Sequence, residues 1–167
     1  MRFYFVLPAL YTIFMIRFVS EQKDQIIRLK GIGYQFPGEN DAYYDYNWLL
    51  FELEIQVGGM FCKKLDPLFL NFECLEFSKW FLDFPTLPVG SKIFNLENTF
   101  YIYKLDEHSN HSKENLRIEL DKSILSSQTD SDYLFFDFHI SNSDYLEISH
   151  CFQEIVNQFP IRSIHKI

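Results

Sequence analysis

Between Trp48 and Val57 the chain alternates strictly. Leu49, Phe51, Leu53, Ile55 and Val57 are apolar, and Glu52, Glu54 and Gln56 between them are polar. A period of two predicts a strand with one face in a core and the other in water. Gly58-Gly59 follows and offers the positive φ of a tight hairpin, so Met60 to Leu65 is expected to return antiparallel. Upstream, Ile26 to Phe36 has strand character, but its apolar positions move from odd (Ile27, Leu29) to even (Ile32, Tyr34, Phe36) across Gly31, the phase change of a β-bulge. Pro37 to Asn47 is polar and then tyrosine-rich, and reads as an exposed loop.

The period changes after Asn71, a suitable N-cap. Cys74, Phe77, Phe81 and Phe84 repeat as one face of a helix that Pro85 stops. Ile93 to Leu105 and Leu116 to Leu120 read as strands separated by the polar loop Asp106 to Asn115. After a second loop, Ser126 to Asp132, Tyr133 to Ile140 alternates again, with Leu134, Phe136, Phe138 and Ile140 on one face and Asp137 and His139 on the other. The last helix shows a capping-box pattern in Asp144 and Glu147 and aligns Ile148, Phe152, Ile155 and Phe159 before Pro160. The pattern predicts an α+β fold: a mostly antiparallel, twisted β-sheet with two amphipathic helices.

The first 14 residues stand apart. Phe3 to Ile16 is almost wholly apolar, too short to span a bilayer as a helix, and lacks a small-residue cleavage site after it. Residues 1–14 are read as an extension produced by a misplaced start, with Met15 opening the domain. A membrane-targeting segment and a genuine first strand are the alternatives. Residues 15–167 are expected to form one domain, as 167 residues suffice for a single core.

Aromatic residues make up 19% of the chain and Ala occurs twice, which disfavours a helical bundle. The formal charge of -8 repels phosphate backbones and attracts basic partners, so nucleic-acid binding is disfavoured. Cys62, Cys74 and Cys151 are widely spaced and read as core thiols of a reducing compartment. The six glycines form neither G-x-G-x-x-G nor a Walker loop. His108 and His111 lie in a polar loop without cysteines, and Asp130 and Asp132 lack the downstream ligands of a calcium loop. His139 and Asp137 could share a proton across the pleat, or simply be solvated. With no nucleophile elbow either, no catalytic residue, metal or cofactor is assigned.

The most distinctive local pattern is Asp45, Asn47, Trp48 and Leu49 in Asp-x-Asn-Trp-Leu. Gly33-Tyr34-Gln35-Phe36-Pro37 precedes it, and Asp66-Pro67, Lys79-Trp80-Phe81-Leu82 and Phe159-Pro160-Ile161-Arg162 follow in order. On these residues the chain, from about Met15 to Arg162, resembles the WapI-type immunity proteins of bacterial polymorphic toxin systems. The resemblance implies a non-enzymatic cytoplasmic protein that binds and neutralises a cognate toxin domain, often a nuclease, without a cofactor. Asp45 and Asn47 are read as shaping the turn into the strand, with Trp48 packed beside it. For the contact surface, Glu39, Asp41, Tyr43 and Tyr44 combine carboxylates with stiff, polar-tipped rings suited to a basic partner. A solvated loop covering a sheet edge is the plainer reading of the same four. An acidic protein- or small-ligand-binding module unrelated to toxins, and a hydrolase assembled from distant residues, are the competing functions.

Overall fold

The computed structural model describes residues 14–37, 43–105, 114–124 and 133–162. Four antiparallel strands, β1 (Met15–Val19), β2 (Gln25–Tyr34), β3 (Trp48–Val57) and β4 (Met60–Leu70), form a first sheet in sequence order. A second antiparallel sheet holds β5 (Lys92–Phe94), β6 (Phe100–Lys104), β7 (Glu114–Asp121) and β8 (Tyr133–Ile140), again in order. Three α-helices, α1 (Tyr43–Asn47), α2 (Asn71–Asp83) and α3 (Asn142–Gln158), and two short 3-10 turns, Phe84–Thr86 and Lys122–Ile124, complete the described elements. The α+β class expected from the pattern is what the chain adopts, but with two sheets where one was expected.

Local rules account for most of the elements. Leu49, Phe51, Leu53 and Ile55 are buried on the inner face of β3, and Gly58 and Gly59, at φ of 52° and 86°, turn the chain into β4. The bulge sits where the phase changes: the β2–β3 register shifts between Gly31 and Gly33. A Cβ on Gly31 would lie 3.3 Å from the Phe159 ring and 3.4 Å from Ile155, so its bare backbone admits the end of α3.

Several boundaries differ from the sequence reading. The span Ile93 to Leu105 is two strands, because Asn95 ties a turn between them. Its buried side-chain oxygen accepts from the amides of Thr99 and Phe100, and its amide group donates to the Leu68 carbonyl at 2.8 Å, stitching the second sheet to β4. Asn98 takes the left-handed conformation there, at φ 54°. The region read as loop up to Asn47 contains α1. Asn71 is not the cap of α2 but its first helical residue; Leu70 precedes it, and Glu73 reaches back to accept from the Leu70 amide. At α3 the capping pair is Ser141 and Asp144, one turn earlier than the expected Asp144 and Glu147.

One aromatic core joins both sheets and both long helices. The Phe69 ring centroid lies 5.2 Å from Phe51, 5.0 Å from Phe77, 5.2 Å from Phe100 and 6.0 Å from Phe152. Phe18 repeats the arrangement at the other end, touching Phe81 of α2 and Phe138 of β8. Edge-on ring pairs of this kind add to the burial of their area. Between α2 and α3 two serines meet: Ser149 donates to the Ser78 carbonyl and Ser78 to the Ser149 carbonyl, at 2.7 and 2.9 Å. These short side chains let the helix backbones approach closely.

Lys104 breaks the polar-out rule of its strand. Alternation along β6 points it inward, where it is 2% exposed. Its ammonium donates to the Phe84 and Pro85 carbonyls beyond the end of α2, pairs with Glu114 at 2.6 Å, and lies over the Phe84 ring. A cation at the negative end of a helix, with its donors satisfied, is the arrangement in which a buried lysine is tolerated.

Candidate functional site

The residues singled out in the sequence gather at one end of the first sheet. Glu39 and Asp41 lie outside the described residues. Tyr43 and Tyr44 open α1, and Asp45 follows them, half buried. Asn47 ends the helix and is fully buried; Trp48 and Leu49 begin β3, Leu49 on its inner face.

Asn47 is a junction. Its side-chain oxygen accepts from the Asn71 amide group at 2.9 Å and from the Arg162 backbone amide at 2.8 Å, while its own amide group donates to the Arg162 carbonyl at 3.1 Å. The Arg162 guanidinium donates to the Phe36 carbonyl and stacks on Tyr34, 3.4 Å from the ring centre, with Tyr46 at 4.9 Å. The Tyr34 hydroxyl donates to the Pro160 carbonyl. Burial raises the Tyr34 phenol, and the nearby guanidinium opposes that shift. Residues 160–162, the end of α1 and the start of α2 are thereby fastened to one another and to Tyr34 and Phe36. Asn71 and Arg162 escaped the sequence reading as partners of Asn47, since nothing local marks residues that meet across 24 and 115 positions.

The outer faces of the two sheets differ. On the first, Arg17, Arg28, Glu54 and Lys63 stand in one cross-strand row, and Lys30, Glu52 and Leu65 in the next. Lys63 bridges Glu52 and Glu54 at 2.8 and 3.0 Å, and Arg28 reaches Glu54 at 3.3 Å. The Lys63 bond holds the Glu54 carboxyl below its usual range. Apolar exposure here concentrates on β4, at Met60, Phe61 and Leu65.

On the second sheet the outward positions carry rings. One row runs Phe94, Tyr101, Glu119, Phe135, and the next Lys92, Tyr103, Arg117, Asp137. Phe94 and Tyr101 are 5.5 Å apart, Tyr101 stacks on Tyr103 at 6.2 Å, and Tyr133 stands edge-on to Tyr101 at 6.4 Å. Cations already sit over two of the rings: Lys92 over Phe94, and Arg117 over Phe135, each at 5.6 Å. Phe135 is 54% exposed and Phe94 44%. Burial and the neighbouring Glu119 carboxylate push the Tyr103 phenol up to about 12, and burial raises Tyr101 as well, so both remain hydrogen-bond donors at neutral pH.

Of the two readings of Asp137 and His139, proton sharing is not what forms, and each side chain bonds across to β7 instead. Asp137 takes a two-pronged bond from Arg117 at 2.7 and 2.8 Å, which lowers its carboxyl, and the His139 ring meets the Asn115 side chain. Two outward side chains on a strand stand about 7 Å apart, whereas the residue directly across is nearer. Cys74 and Cys151 are buried and Cys62 half buried, all free thiols, and burial raises the first two. Among the described residues no three His, Cys, Asp or Glu side chains converge to hold a metal, and no helix is long and apolar enough to cross a membrane. His108, His111, Asp130 and Asp132 lie outside them.

A cleft joins the two ends just described, lined by Gln35 and Trp48 from the first sheet's side and by Glu97, Thr99 and Ser123 from the second's. Against known proteins, no curated sequence and no solved structure matches this chain. One family model does: that of the immunity protein WapI-like family, over residues 17–160.

Proposed function

The chain belongs to the immunity protein WapI-like family, and from that premise we propose that it neutralises one cognate toxin domain by stoichiometric occlusion, with no catalysis of its own. The observation that carries this reading is the extent of the family match, which spans both sheets and both long helices. The proposed toxin is a nuclease of a bacterial polymorphic system, acting in the cytoplasm, and therefore basic where it holds phosphates. A protein of charge -8 competes for such a surface as nucleic acid does. Glu39, Asp41, Tyr43 and Tyr44 are proposed as part of the contact, close in sequence to the junction that Asn47 makes with Arg162.

The test is co-expression with the toxin domain encoded beside this gene. Growth rescue, a one-to-one complex and an unmodified toxin are expected. Stopped-flow association should slow as salt rises, because long-range attraction is screened over roughly 8 Å at physiological ionic strength, while dissociation changes little. Inhibition at sub-stoichiometric amounts, or a cleaved or modified toxin, would make the protein an enzyme.

A further inference from the structure

The charge of the chain is unevenly divided. Residues 71–167 hold 15 of the 23 acidic residues and 8 of the 15 basic ones, so this part carries nearly all of the net charge of -8. Residues 1–70, which include the whole first sheet, are close to neutral. The outer face of that sheet is basic on balance, with Arg17, Arg28, Lys30 and Lys63 against Glu52 and Glu54. The outer face of the second sheet has the opposite balance, with Glu119, Asp121 and Asp137 against Lys92 and Arg117, so of the two faces it is the one that repels a basic body less.

What such a body meets there suits it. Five rings, Phe94, Tyr101, Tyr103, Tyr133 and Phe135, cover the outward side of the second sheet. Such rings give large contact area at small cost in side-chain entropy, and they are enriched where interfaces gain most of their energy. The face already accommodates cationic groups over Phe94 and Phe135. Glu119 sits within the row of rings, between Tyr101 and Phe135, as a carboxylate for an incoming arginine or lysine. Phe94 and Tyr101 flank the turn whose Glu97 and Thr99 line the cleft beside Trp48.

We infer that the outer face of the second sheet, centred on Phe94, Tyr101, Glu119 and Phe135, is the principal docking surface for the toxin domain, and that it takes arginine and lysine side chains of that partner between its rings. This rests on the immunity reading above and adds the surface and the chemistry of its recognition.

The experiment measures affinity for the neighbouring toxin domain with the full chain and two outward-facing variants, Phe94→Ala/Phe135→Ala and Glu119→Lys. A first-sheet control, Phe61→Ala/Leu65→Ala, is carried alongside. Each second-sheet variant should weaken binding by about 30-fold or more, with melting temperature close to that of the parent, and the control by less than about 3-fold. Glu119→Lys should also slow association and flatten its salt dependence. If the unaltered chain binds and the second-sheet variants bind as tightly, the face is wrong and the immunity reading stands. If the unaltered chain neither binds nor rescues growth, the immunity reading itself fails. Self-association of the chain that Phe94→Ala/Phe135→Ala abolishes, with toxin binding intact, would give the face to a second copy and overturn the assignment.

Discussion

The two sheets have the same strand number, order and pairing sense, and they feed one core, yet they finish their outer faces differently. The first carries a lattice of ion pairs around Lys63, Glu52 and Glu54, with the apolar side chains of Phe61 and Leu65 at its β4 edge. The second ends in rings and unevenly matched carboxylates. A face of matched charges is complete in water and gains little from a visitor. The rings of the second sheet still have area to lose from water, as do Phe61 and Leu65 at the edge of the first; the two faces differ in that the rings run on across the second and in the opposite balance of charge.

The comparison can be broken or sharpened by substitution. The largest effect is expected within one strand of the second sheet. Phe136 points inward and is 2% exposed, so Phe136→Ala should cost about 3 to 5 kcal/mol, whereas the adjacent outward Phe135→Ala should cost below about 1 kcal/mol. Urea titrations of the two decide it, and comparable losses would mean that both faces of β8 serve the core. Next comes the fastening of the first sheet. Asn47→Ala removes three hydrogen bonds in a buried place and should cost about 2 to 3 kcal/mol, with faster proteolysis near Arg162 while the second sheet keeps its amide protection.

A smaller effect follows from Glu73, whose carboxylate joins the start of α2 to the Leu96 amide of the second sheet's first turn. Burial raises its pKa to about 7 from an ordinary 4.5. The folded state thus binds this proton more tightly than the unfolded one, and the contribution is fully present below about pH 4.5 and lost as pH rises through 7. Denaturant midpoints should accordingly drift down between those values, and Glu73→Gln should level that drift. Glu54, Asp121 and Asp137 are shifted the other way and act in a separate window, losing stability only as pH falls below their ordinary carboxylate range. The smallest effect belongs to the ion-pair lattice: Lys63→Ala should cost under about 1 kcal/mol and less still in high salt.

Much of this architecture is legible in the chain because it is local. The period-two runs in β3 and β8, the Gly58-Gly59 turn, the phase change at Gly31 and the helical spacing of Cys74, Phe77 and Phe81 each arise from neighbours within a few residues. The break of Ile93 to Leu105 into β5 and β6 is not legible in that way. It depends on Asn95, whose role is to bond Leu68, Thr99 and Phe100, yet in sequence it is one polar residue beside others. Lys104 misleads for a similar reason, since its partners at Phe84, Pro85 and Glu114 are brought by the fold. For the contact surface, the acidic, tyrosine-rich stretch drew the eye because its residues are contiguous. The rings of the second sheet are scattered over three strands, β5, β6 and β8. Their signal was that Tyr101, Tyr103 and Phe135 occupy the positions that alternation reserves for water.

Asn47 secures Arg162 through that residue's own amide and carbonyl, as a neighbouring peptide group would. A grip on the main chain reads no letters. Substitutions in this tail that leave the backbone course unchanged cost this clasp nothing, and only the guanidinium's separate hold on Phe36 and Tyr34 depends on the side chain at Arg162. The fastening is exacting only at the residue that does the holding, where aspartate would lack the donor and alanine both groups.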